Sequence, residues 1–146
     1  MTPDQKRLVR ETWDQVTPIA DTAATLFYDR LFAIDPDLRD LFRETDMAAQ
    51  RDKLVATLAN VVQNLDYLEI LVPTIEDLGR RHVGYGVNDA HYDTVGAALL
   101  WTLARGLGGS WTPDAEAAWT AAYGTISGIM RRAAAEVAPT EDILTC

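Results

Sequence analysis

Few residues in this chain could do chemistry. There are two histidines, His82 and His91, and one cysteine, Cys146, which is the last residue. His82 extends the apolar series Leu71, Ile75, Leu78 at intervals of four, three and four residues. That spacing describes one face of a helix and turns the imidazole inward among apolar neighbours. An inward histidine is more often a hydrogen-bonded core residue than a ligand, so what else lies on the inward faces matters. Gln50 falls between Met47 and Leu54 on one apolar stripe, and Tyr28 stands beside Phe27 and Phe32 on another. Either could be a satisfied core residue by itself. No Cys, His or carboxylate joins His82 at H-x-x-E or H-x-x-x-H spacing, and His91 lies across a glycine-containing break, so a zinc site built from protein ligands alone does not fit. A single inward imidazole suits a metal that brings most of its own ligands. Haem iron takes four from the porphyrin and one from a proximal histidine, leaving a sixth position for a gas. The pocket it needs has apolar walls, one imidazole and a few donors opposite.

Other chemistries lack their residues. There is no G-x-G-x-x-G, no P-loop and no G-x-S-x-G, and Gly106-Leu107-Gly108-Gly109 reads as a helix break. Cys146 can form no disulfide within the chain and has no histidine partner for nucleophilic catalysis, which fits a reducing cytosol. With 13 Lys and Arg against 22 Asp and Glu, the formal charge is −9, and nucleic acid or an acidic membrane would be repelled. The opening MTPDQKRLVRETWDQV is charged throughout, without the apolar centre of a signal peptide, and no run approaches about 18 apolar residues. A soluble, cytoplasmic protein is expected.

The elements that must position these residues are helices. At 146 residues the chain has room for one domain, and Ala, Leu, Glu, Arg and Gln dominate its long segments with no strict apolar-polar alternation. Thr2-Pro3-Asp4 opens a first helix to about Val16. A second runs from Pro18 to the Asp35-Pro36 stop, and PDLRDLF at 36–42 forms a short helical corner. From Asp46 a long helix is expected through Met47, Gln50, Leu54, Leu58, Val61 and Leu65, a single stripe at intervals of three and four. Asp66 with Glu69 has the pattern of a capping box and Thr74 with Asp77 repeats it after Pro73, giving one kinked helix or two short ones that end at Gly84 or Gly86. Asp89 caps a further helix to the Gly106 break. Thr112-Pro113 starts the last, which ends near Val137 ahead of Pro139. The domain is expected to span 1–138, with 139–146 a flexible tail.

Over roughly Leu8 to Met130 the sequence resembles the globin family, most closely single-domain bacterial globins, the haem domain of flavohaemoglobins and neuroglobin. The likeness rests on LFYDRLFAIDPDLRDLF at 26–42, LGRRHVGYGV at 78–87, TVGAALL at 94–100 and AAWTAAYG at 117–124. Pro36, Phe42 and His82 match the family's helix-corner proline, haem-packing phenylalanine and proximal histidine. The resemblance implies an all-α fold, three helices over three, binding haem b through His82, whose other ring nitrogen should donate to a carbonyl one turn earlier, near Leu78. It implies that Phe42 lies against the porphyrin with Leu54, Leu58, Val87 and Val95 as walls. Tyr28 and Gln50, beside Leu54, would face the gas, and Lys53 and Arg81 would reach the propionates.

Two departures bear on activity. In flavohaemoglobins the tyrosine matched here by Tyr92 pairs with a last-helix glutamate and the proximal histidine. The glutamate position is Ala134 in this chain, and Glu136 stands about 200° further round the helix. No flavin and NAD reductase region follows, so electrons would have to come from a separate reductase. Reversible binding of dioxygen, for storage, delivery or sensing, is the expectation, with carbon monoxide and nitric oxide as other ligands. Nitric oxide dioxygenation with a separate reductase is the alternative, and a haem-free regulatory module a third. No nucleic-acid or membrane partner is expected, and the protein should be a monomer or weak dimer.

Overall fold

The computed structural model describes residues 1–84 and 87–145, side chains at 84 and 137–145 excepted. Its described residues form α1 (Pro3–Val16), α2 (Ala20–Ile34), α3 (Met47–Gln63), α4 (Leu68–Gly84), α5 (Asp89–Leu107) and α6 (Pro113–Thr145), joined by short 3-10 turns. The start signals act through identifiable bonds. Thr2 accepts from Gln5 N while the Gln5 side chain accepts from Thr2 N, closing a capping box on α1. Asp46 accepts from the amides of Ala48 and Ala49 at the head of α3. The corner at 36–42 is a 3-10 helix anchored by Leu38, its buried residue.

Three expected boundaries move. Asp66 does not cap a helix; it sits in the 3-10 turn Leu65–Tyr67 and pairs with Arg10 at 2.8 Å and Lys6 at 3.6 Å, tying the end of α3 to α1. Asn88, not Asp89, caps α5: its side chain accepts from His91 N, and His91 Nδ1 accepts from Asn88 N. His91 is thereby given a structural role. The helix α6 continues past Val137 and Pro139, whereas α4 is one helix through Pro73, the first of the two expected alternatives. A proline removes one amide donor and kinks a helix, but neighbouring packing can carry the helix through it. Gly86, the other expected end of α4, lies outside the described residues.

The helices make two layers. On one side α2 packs on α5 and α5 on α6; on the other α1 packs on α3, with α4 in the same layer. The layers meet through α4 on α6, α1 on α5 and α6, and α2 on α3. At the centre Val9, Trp13, Leu31, Leu65, Leu103 and Trp119 are buried. Trp119 Nε1 donates to Thr12 Oγ1 at 2.7 Å, and that hydroxyl donates to Leu8 O at 2.7 Å, so the buried indole N–H is satisfied. The α4 to α6 crossing is unusually close. A Cβ on Gly79 would stand 2.4 Å from Met130 O, so glycine at this position is what lets the backbones meet. Helix α3 makes at most marginal contact with α4 among the described residues, and the resemblance puts the expected ligand cleft between these two helices.

Candidate functional site

Two helices supply the polar end of the cleft. Tyr28 lies in the second half of α2 and is 5% exposed, with its ring edge-on to Phe27 at 5.0 Å and to Phe42 at 5.7 Å. Gln50, in the first turn of α3, donates from Nε2 to Tyr28 Oη at 3.1 Å. Because the phenol oxygen accepts that bond, its own O–H remains to donate elsewhere, and accepting polarises it for doing so. Burial raises the Tyr28 pKa above the ordinary phenol value, against opposing effects of Gln50 and Arg51, so the group stays a neutral donor.

Along the walls, Phe42 is half-buried and meets Phe32 edge-on at 5.7 Å. Leu54, Leu58 and Val95 are half-buried and packed against the core, and Val87 is half-buried. Lys53 and Arg81 are exposed.

The opposite wall carries His82. Its Nδ1 donates to Leu78 O at 2.5 Å, the backbone anchor that the resemblance implies. That bond fixes the tautomer and leaves the lone pair on Nε2. Burial lowers the His82 pKa, the Leu78 carbonyl works the other way, and the Arg81 charge lowers it further. The imidazole is therefore neutral near pH 7, the form a metal requires. Past the end of α4, Val87 N donates to His82 O at 3.0 Å and closes the turn toward α5.

Tyr92 is 6% exposed and its Oη has no hydrogen-bond partner among the described residues, whereas its carbonyl accepts from Tyr123 Oη at 2.5 Å. Arg131 lies over the Tyr92 ring at 5.3 Å and is held by Asp93 at 2.6 Å. Ala134 offers no carboxylate, and Glu136 meets Arg80 at 3.5 Å. The sequence alone did not reveal Arg131 against Tyr92 or the Asn88–His91 box. A polar residue at the third helical position after Asn88 was the available signal for the second.

These donors suit haem. A neutral, backbone-anchored imidazole, a row of half-buried apolar side chains and a phenol with a spare proton form the set a porphyrin iron and a polar gas ligand need. Among the described residues no group of three or more His, Cys, Asp or Glu is placed to hold a bare metal ion.

The architecture and this cleft define the haem-binding globin fold. Residues 25–130 match the family model for globins, and the chain belongs to the globin family. It is 31% identical to a flavohemoprotein of Bacillus subtilis over 122 residues, 82% of this chain and 31% of that protein. To a flavohemoprotein of Deinococcus radiodurans it is 30% identical over 132 residues, 89% of this chain and 33% of the other. The chain thus spans about a third of the length of these relatives. A crystal structure of a hexacoordinated heme protein from an anhydrobiotic tardigrade shares the fold, with a TM-score of 0.83 at 18% identity, covering 92% of this chain and 95% of that one. No helix among the described residues is long and apolar enough to cross a membrane.

Proposed function

We propose that this chain is a haem-b globin that reversibly binds dioxygen for storage, delivery or sensing, in the cytoplasm and as a monomer or weak dimer. The observation that carries the reading is the Gln50 to Tyr28 bond of 3.1 Å, which frees the buried phenol proton for a ligand. When bound, haem supplies an iron with one position for a diatomic gas and moves electron density onto dioxygen. His82 would hold the iron, Phe42 would lie against the porphyrin, and Leu54, Leu58, Val87 and Val95 would keep water out. Lys53 and Arg81 would pair with the propionates, with Tyr92 beneath the proximal side. Tyr28 and Gln50 would donate to the gas, favouring dioxygen over the less polar carbon monoxide, since donation to a charged acceptor is worth about 1.5–3 kcal/mol.

Likeness to flavohemoproteins favours a second reading, nitric oxide dioxygenation. Dioxygen and nitric oxide would combine to nitrate, and a separate reductase would return the electron. Ala134, which leaves Tyr92 without a carboxylate, argues for carriage over turnover. Absorption spectra of the purified protein, ferric, ferrous and with dioxygen, followed by nitric oxide, separate the cases. A Soret band with a long-lived oxygenated form and no reductase-supported turnover supports the carrier. Sustained nitrate production with a reductase supports the enzyme, and no Soret band rejects both.

A further inference from the structure

We infer that Phe32 is a positioning residue for Tyr28: the corner at 36–42 clamps the Phe32 ring, and that ring fixes the angle at which the phenol meets a ligand. The inference rests on dioxygen binding as the function and adds to it a residue that acts through another. Tyr28 and Phe32 stand one turn apart on α2, where side chains four residues apart are neighbours, and their rings lie 6.2 Å apart with their planes tilted by 35°. Phe42 meets both rings edge-on, its centroid 5.7 Å from each. The three rings close a triangle. Gln50 fixes only the phenol oxygen of Tyr28, and one hydrogen bond leaves a ring free to swing about it. Contacts between rings hold the plane as well, because they are favourable only in certain relative orientations.

The grip on Phe32 comes from the corner, and the helix type of that corner accounts for it. In a 3-10 helix residues three apart stand one above the other, so Arg39 and Phe42 leave the same side of Pro36–Phe42. Phe42 takes the edge of Phe32, and Arg39 sets its Cζ 5.2 Å from the centre of the same ring. Leu38, buried beneath, roots the corner in the core. A line of contacts thus runs from an exposed guanidinium through half-buried Phe32 to the donor.

The test is stopped-flow dissociation of dioxygen and of carbon monoxide from the ferrous, haem-loaded protein, with the infrared C–O stretch of the carbon monoxide complex reporting where the donor stands. Phe32→Leu keeps apolar bulk without a ring. Dioxygen should leave about fivefold faster while carbon monoxide dissociation stays within about twofold, and the C–O stretch should move toward that of Tyr28→Phe. Phe32→Tyr, which returns a ring, should rescue both readouts. In a Tyr28→Phe background Phe32→Leu should add nothing, because its effect passes through the phenol. A wild-type dioxygen rate in Phe32→Leu, or an equal acceleration in the Tyr28→Phe background, would overturn the inference and leave the dioxygen reading standing. A Tyr28→Phe rate equal to wild type would overturn that reading and the inference with it. Should Phe32→Leu fail to fold, Arg39→Gln, at an exposed position, carries the same test with an acceleration of about twofold.

Discussion

The two walls of the cleft are held by different means. On the α2–α3 side, orientation depends on one bond between side chains, Gln50 to Tyr28, braced by the Phe27 and Phe42 rings. On the α4 side it depends on backbone: His82 donates to the Leu78 carbonyl, Val87 returns a bond to the His82 carbonyl, and Gly79 lets α4 lie directly on the Met130 backbone. A side-chain pair can be retuned by one substitution without moving a helix, whereas a backbone anchor resists tuning. On the proposed function, the difference would give ligand selectivity to the first wall and iron retention to the second.

The sharpest break falls on the backbone-held wall. His82→Ala should abolish stable haem retention, read as loss of the Soret band from protein purified with haem, while the melting curve still shows a cooperative fold. Next comes Gly79→Val. A Cβ 2.4 Å from Met130 O cannot be accommodated without separating α4 from α6, so a loss of about 3 kcal/mol is expected in denaturant unfolding, with haem affinity falling in parallel. Wild-type stability in that variant would show that the crossing does not position His82.

Effects on the side-chain wall should be smaller and confined to the ligand. Gln50→Leu removes the bond that polarises the phenol, and dioxygen should leave faster by a factor corresponding to about 1 kcal/mol in stopped-flow measurements, with haem content unchanged. The smallest effect should come from Ala134→Glu. A carboxylate near the unpartnered Tyr92 hydroxyl should lower the iron midpoint potential in spectroelectrochemistry and leave the dioxygen off-rate near wild type. An off-rate change as large as that of Gln50→Leu would mean that the walls are not separable.

Much of this was legible before any coordinates. The spacing of Leu71, Ile75, Leu78 and His82 foretold the inward imidazole, because i to i+4 adjacency is a property of the helix itself, and the family resemblance supplied its carbonyl partner. Thr2 announced its helix for the same local reason. Where local chemistry was ambiguous, distant partners decided. Asp66 had a capping pattern but is taken by Arg10 and Lys6 from α1, and Asp89 gave way to its neighbour Asn88, whose amide side chain and His91 close the box. Gly79 read as an ordinary helix residue, since its need for no side chain exists only once Met130 lies against it. Lys53 and Arg81 are exposed cations.

The central claim is that the Tyr28 proton holds dioxygen, and the dioxygen dissociation rate of ferrous Tyr28→Phe beside wild type tests it most directly. Losing one hydrogen bond to a charged acceptor, about 1.5–3 kcal/mol, should speed dissociation by more than tenfold while carbon monoxide dissociation changes little. Equal dioxygen rates in the two proteins would contradict the account and remove Tyr28 from the ligand's contacts.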